Sequence, residues 1–522
     1  MSKVLTGLLF VLLTSSQLKS QVLPHEASVL NYRLIGFSFP KNRQANLYKI
    51  EIATGTYFSE DSFKKNIVKT IDASTNKIIG EVPSFGSQYT WRVLSKGDNA
   101  AARKTFRHFS TGNADGVDTS VMHLRILKNG GQYKNAYVFI DAAKALYDMS
   151  GRPVWFLPEN AEFNLQNSDM RDMKISPQST ITMLGLYNVF ELDYNGKILW
   201  RGPNNGKVSG DTVEHYHHEF TRLTNGHYMV MGFKNVPVYL KASASNRGID
   251  TSLYIGTVDK MTPEYTELYH AYPFGTVIEY DEHGNVAWSY CTASYFSGSD
   301  MINHVSPRGR RVDLKVHDNA FYFDEKNRAV YMSLKDISRV IKVKYPEGYT
   351  LNTYGKIFKK EDIDQYKPGG LQAGNGMFCG QHCCRCSRQG YLYLFDNNFC
   401  NQGALPKIVM MQQPAFAWDT LKKIWEYECQ LEDGDKELQS KLNFGSGGNV
   451  EELPDGALLA TMSSGYSKVF IVNMKKEILW SAMAEKWNSY EKKWEKISLY
   501  RASMITSQEQ LERLVWNQET KQ

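Results

Sequence analysis

The sequence predicts an all-β chain in which a small N-terminal β-sandwich precedes a six-bladed β-propeller. Three observations predict this. A hairpin marker, Asp-x-x-Gly-x-x-x-Trp, recurs at Asp148-Gly151-Trp155, Asp193-Gly196-Trp200 and Asp281-Gly284-Trp288. Short runs rich in Tyr, Val, Ile and Trp are separated by Gly, Asn and Asp turn signals. The helical periodicity that an α-solenoid needs is absent.

Within the marker, Asp and Gly serve the turn and Trp ends the next strand. Looser copies follow. Asp419 to Trp425 is one residue shorter, and Asn473 to Trp480 keeps the spacing with Lys476 in place of Gly. Tyr345 to Tyr354 is a weaker candidate between Trp288 and Trp425, and with it the count reaches six units. These residues read as architecture, not chemistry.

Along the chain, Lys3 and the apolar run Val4 to Leu13 precede a polar stretch, Thr14 to Gln21. This is short for a membrane span and predicts a secretory signal peptide over residues 1–21, cleaved near Ser20 or Gln21. No later apolar stretch is long enough to cross a bilayer, so a periplasmic or secreted protein without stable membrane insertion is expected. Residues 22–120 lack the Trp-ended marker but hold strand runs at Asn46 to Ile52, Tyr89 to Val93 and Phe106 to Phe109, which predicts the sandwich. The propeller is expected over residues 121–490. Residues 491–522 form a tail in which Ser507 to Leu514 opens like a capped helix, and this tail is expected to pack on the outside.

At 522 residues, 42% hydrophobic and 22% charged, the chain can bury a large core in two domains. Its formal charge of +6 is spread along the sequence. No dense Lys/Arg run interleaves with aromatics, which argues against nucleic acid as a partner. Five of the seven cysteines, Cys379, Cys383, Cys384, Cys386 and Cys400, crowd around His382. In an exported protein disulfide bonding is the expectation, with at least one thiol left unpaired. A zinc site in the same stretch is the alternative, although its spacing does not match paired C-x-x-C ligands.

Three histidines, His218, His317 and His382, each open the same pattern: His, a polar stretch, a turn, then a strand of apolar and aromatic residues. The turns, at Asn225-Gly226, Lys326-Asn327 and Gln389-Gly390, follow about seven to nine residues later. Equivalent positions in repeated units would bring the three imidazoles to one place. His217 competes with His218 for the inward position, because adjacent strand residues face opposite ways.

The set His217-His218-Glu219-Phe220 with Leu223-x-Asn225-Gly226, then His317-x-Asn319, then Gln381-His382 leading to Phe395-Asp396-Asn397 resembles the bacterial exported arylsulfotransferases. That family transfers sulfate directly between phenols without a nucleotide donor. The resemblance implies a ping-pong mechanism with a sulfohistidine at His382. It implies that His218 and His317 bind the sulfuryl oxygens and protonate the departing phenolate, and that Asn319 donates a hydrogen bond. An aryl sulfate donor, a phenolic acceptor, no cofactor, no metal and a homodimer complete the expectation.

Two departures stand out. Lys335 occupies the place of the family's arginine, a point charge instead of a bidentate fork, with Arg339 four residues on as a substitute. The pair Cys383-Cys384 replaces a small or acidic residue. The absence of a strand-turn-helix phosphate loop agrees with a donor other than a nucleotide sulfate. Two other classes compete: a non-catalytic ligand-binding propeller, and a metal-dependent enzyme whose three imidazoles hold zinc or copper.

Overall fold

A computed structural model describes residues 22–42, 44–95, 105–114, 120–158, 171–185, 187–241, 253–255, 265–296, 317–355, 376–398, 404–416, 419–432, 447–463 and 465–517. The signal-peptide stretch 1–21 lies outside them. Two compact units divide at Asn113/Ala114. In the first, a five-stranded sheet runs in the order Ser28–Leu30, Arg107–Thr111, Gln88–Ser95, Tyr48–Thr54, Ile67–Ala73, and Leu34–Ser38 pairs with Lys77–Glu81. Phe37, Ile50, Ile52, Trp91 and Phe109 are its buried core, with Phe37 edge-on to both Trp91 and Phe109.

The second unit carries six antiparallel sheets among the described residues. The second, fourth and fifth are plain meanders that begin at Arg171–Ile175, Asp318–Asp324 and His382–Cys386. The third begins at Phe220–Arg222 and contains the long strands Tyr228–Lys241 and Tyr265–Tyr280. The sixth begins at Asn449–Glu452, and its strand Ile478–Asn488 also takes Met122–Lys128 as a partner.

The hairpin marker works locally as its residues suggest. Asp148, Asp193, Asp281 and Asn473 each accept a hydrogen bond from the backbone N–H four residues on, at Arg152, Lys197, Asn285 and Glu477. Gly151, Gly196 and Gly284 take the left-handed turn position at φ 86, 82 and 81, and Lys476 accepts the same conformation at φ 68.

The Trp residues do more than end a strand. The indole N–H of Trp155 donates to Tyr194 O in the next sheet, Trp288 to Pro346 O, Trp425 to Met474 O, and Trp480 to Met149 O. Each bond fastens one sheet to the hairpin of its successor, and the last joins the sixth sheet to the first. Every sheet also carries the same bulge before this position, and in the fourth sheet the residue paired there is Asn352. The missing Trp is why that unit was faint in the sequence.

One expectation is overturned. The C-terminal stretch does not pack on the outside: Ala502–Ile505 pairs with Tyr137–Ile140 and becomes an edge of the first sheet, with Arg501, Ala502 and Ile505 buried. Its apolar alternation is only four residues long, too short to read as a strand. The helix Gln508–Trp516 follows, its N-terminus capped by Ser507 Oγ, which accepts from Gln510 N.

Candidate active site

The polar groups of the candidate site come from the leading edge of every sheet in the second unit. Arg501 and Tyr500 precede the C-terminal strand of the first sheet, Asp172 and Lys174 open the second, and His217, His218 and Glu219 lead into the third. His317 precedes the fourth, His382 and Arg385 open the fifth, and Gly447 precedes the sixth. At four of these starts a non-glycine residue adopts the left-handed region: Asp172 (φ 53), His218 (φ 60), His317 (φ 59) and Cys383 (φ 58). Such a residue interrupts the two-residue alternation of a strand and re-aims its neighbours. That interruption decides between His217 and His218 by keeping both, with ring centroids 4.9 Å apart.

The imidazoles converge. His218 and His317 have centroids 5.5 Å apart, and His317 and His382 6.2 Å. Tyr500 stands 6.0 Å from His218. His217 Nε2 lies 3.1 Å from Gly232 O, and its Nδ1 lies 2.7 Å from His218 Nδ1. His382 is buried. Its Nε2 accepts from the backbone N–H of Gly447 at 3.0 Å, and the side-chain amide of Asn397 stands 2.7 Å from Nδ1 while donating to Gly380 O and Gly447 O. Gly447 must be glycine: it sits at φ 77, and a Cβ there would meet Ser463 at 2.5 Å.

Three of these rings, His217, His218 and His382, are held neutral. Burial lowers His217 to about 3. Burial, then the neighbouring histidines and Arg501, hold His218 well below the usual range. For His382 burial acts first, followed by Lys335, His317 and Arg501. Lys335 and Arg501 are thus the cations whose charge acts on His382. Arg339, the expected substitute, is buried with Nη1 on Tyr295 Oη, and its carbonyl accepts from Gln381 Nε2. Asp336 lies 3.8 Å from His317 Nδ1 and 4.0 Å from Lys335 Nζ.

Asn319 is fully buried, and its Nδ2 donates to Gln381 O at 2.8 Å. It holds the residue before His382. Gln381 in turn binds Ser333 Oγ and Arg339 O, so the start of the fifth sheet is pinned to the fourth.

Beside the histidines lies a buried ion cluster. Arg501 spans Asp172 Oδ1 (2.9 Å) and both oxygens of Glu219 (2.9 and 3.0 Å); Arg385 reaches Glu219 at 2.9 Å, and Lys174 reaches Asp172 at 2.9 Å. Burial by itself raises the Glu219 carboxyl, but Arg501, Arg385 and Lys174 outweigh it and hold it well below the usual carboxylate range. Three cations face two carboxylates, leaving a surplus positive charge suited to an anionic ligand. Arg501 was invisible in the sequence, because the tail carries no motif there.

The cysteine expectation fails for the residues beside His382. Cys383, Cys384 and Cys386 are free thiols, as are Cys291 and Cys429. Cys383 packs with Tyr393, Phe395 and Val450, whereas Cys384 packs with Ala320, Leu392 and Leu394. Adjacent residues enter different cores, which separates their sulfurs. Cys379 is disulfide-bonded, and Cys400 lies outside the described residues.

A family model described as arylsulfotransferase (ASST) matches residues 137–428. No curated protein matches the chain. Among solved structures, a protein of unknown function from Bacteroides caccae is 10% identical with a TM-score of 0.39, covering 74% of this chain and 100% of that one. The Cps50 (Swd1) β-propeller domain of Myceliophteria thermophila is 8% identical with a TM-score of 0.32, covering 73% and 89%. Likenesses of this size leave the fold to be argued from the sheets themselves.

Proposed function

Because the chain belongs to the arylsulfotransferase family, we propose that it moves a sulfuryl group from an aryl sulfate ester to a phenol, through a sulfohistidine formed on Nε2 of His382. The observation that carries this reading is the convergence of three imidazoles from three sheets, within 5.5 and 6.2 Å of one another, beside Lys335 and Arg501. A backbone N–H only donates, so Nε2 of His382 bears a lone pair. It is thus a competent nucleophile near neutral pH. As sulfur approaches, the Gly447 N–H passes from Nε2 to a sulfuryl oxygen, and Lys335 neutralises charge on the same group. Asn319 holds the carbonyl of Gln381 just before His382, and Asn397 ties Gly380 to Gly447 beside its ring.

The six sheets act in this proposal as blades of one propeller whose leading edges wall a central site. The indole bonds between sheets and the closure by Ala502–Ile505 support that arrangement. The first unit serves as a separate β-sandwich. Export through residues 1–21 and a homodimer belong to the same proposal. Among the described residues no helix is long and apolar enough to cross a membrane.

The test is incubation of purified protein with a chromogenic aryl sulfate, with and without a phenol, beside His382→Ala, with intact mass read in parallel. Acceptor-dependent release of aryloxide and a sulfuryl adduct lost in the variant are expected. Wild-type protein that shows neither across several donors would sink the reading.

A further inference from the structure

Two contacts made by His217 determine which nitrogen of His218 carries a hydrogen. Gly232 O can only accept, so His217 Nε2, 3.1 Å away, holds the hydrogen of its ring. Burial keeps His217 neutral, and its Nδ1 is then a bare lone pair. His218 Nδ1 lies 2.7 Å from that lone pair and must supply the hydrogen between them. The rings stand at 90°, so that N–H lies across the plane of its neighbour. His218 is neutral as well, which leaves its Nε2 without a hydrogen. That nitrogen makes no hydrogen bond among the described residues.

We propose that His217 is a positioning residue that sets the tautomer of His218, so that His218 Nε2 serves as proton acceptor for the phenol and His317 as proton donor to the departing aryloxide. The inference rests on the sulfotransferase reading above and divides its two half-reactions between two histidines. In the first half, His382 Nε2 forms the N–S bond, the ester S–O bond breaks, and protonated His317 gives its hydrogen to the aryloxide. An imidazolium at His317 has the Asp336 carboxylate 3.8 Å away. In the second half, the phenol O–H passes its proton to His218 Nε2 while its oxygen attacks sulfur. The N–S bond breaks, and its electron pair returns to His382. Proton exchange from His218 to His317 through solvent restores the start, with no net proton released. Among the described residues, His217, His317, His382, Arg501 and Tyr500 are titratable or charged groups that face His218, and Arg171 acts on His217.

The experiment uses the full chain labelled with 15N-histidine, with the His218 signals assigned by their loss in His218→Gln. Wild-type His218 is expected in the Nδ1–H tautomer at neutral pH. His217→Phe removes the acceptor and is expected to convert His218 to the other tautomer, whereas His217→Gln keeps a carbonyl acceptor and restores the first. In rapid-mixing assays, His217→Phe is expected to slow desulfation of the enzyme by phenol about a hundredfold while sulfation changes less than about threefold, and His217→Gln recovers most of the loss. A wild-type His218 that carries its hydrogen on Nε2 overturns the proposal, and so do equal losses in both half-reactions. Failure of the underlying reading shows separately, as a wild type that forms no adduct although its tautomer can still be read.

Discussion

Two buried arginines, one in each unit, each grip two carboxylates. Arg92 in the N-terminal unit is 2% exposed and binds Glu51 at 2.7 Å and Glu60 at 2.5 Å, carboxylates that keep 15% and 29% of their surface. Arg501 in the second unit binds Asp172 and Glu219, which keep only 2% and 3%. The Arg92 site is a two-acid clamp with water at its rim, stacked under Phe63 and pinning a short helix to a sheet. At Arg501 the acids are dry, two further cations share them, and the Arg501 charge adds to the burial that holds His218 and His382 low. The same grouping is a staple where water can screen it and an electrostatic device where water cannot.

Removing the arginine should expose that difference most strongly. Arg501→Met leaves two dry carboxylates short of a counter-charge and should cost about 3–5 kcal/mol in denaturant unfolding, together with sulfuryl transfer. Arg92→Met strands carboxylates that water still reaches, so the cost should be about 1–3 kcal/mol with transfer per folded molecule unchanged. Equal losses would end the distinction.

A smaller effect tests the staple by pH. Arg92 first and Lys64 second hold Glu60 at about 2 against its usual 4.5. A lowered carboxyl contributes stability that is complete above its unfolded value and disappears as pH falls through its folded one. Melting between about pH 4.5 and 2 should therefore be steeper in the wild type than in Glu60→Gln, by under about 1 kcal/mol in total. A parallel pair of curves would show that Glu60 contributes nothing.

Several elements were readable residue by residue. The turns at Asp148, Asp193 and Asp281 depend on a side chain and a glycine three residues away, so their spacing is their structure. The Ser507 cap is equally local. His218, His317 and His382 were visible because each precedes a strand with the same turn behind it. The fourth sheet was faint since Asn352 stands where the others have Trp. The cysteines misled because crowding in sequence is not proximity of sulfurs: Cys383 and Cys384 face different cores.

The sequence by itself determined the β class, the repeating hairpins and the histidines worth attention, since each rests on interactions spanning only a few residues. Tertiary structure decided how Ala502–Ile505 closes the first sheet, how Arg501 reaches Asp172 and Glu219 more than 280 positions away in the chain, and how His217 joins His218. Those outcomes depend on chain closure and on a left-handed residue at the head of a strand. Neither leaves a mark in local composition.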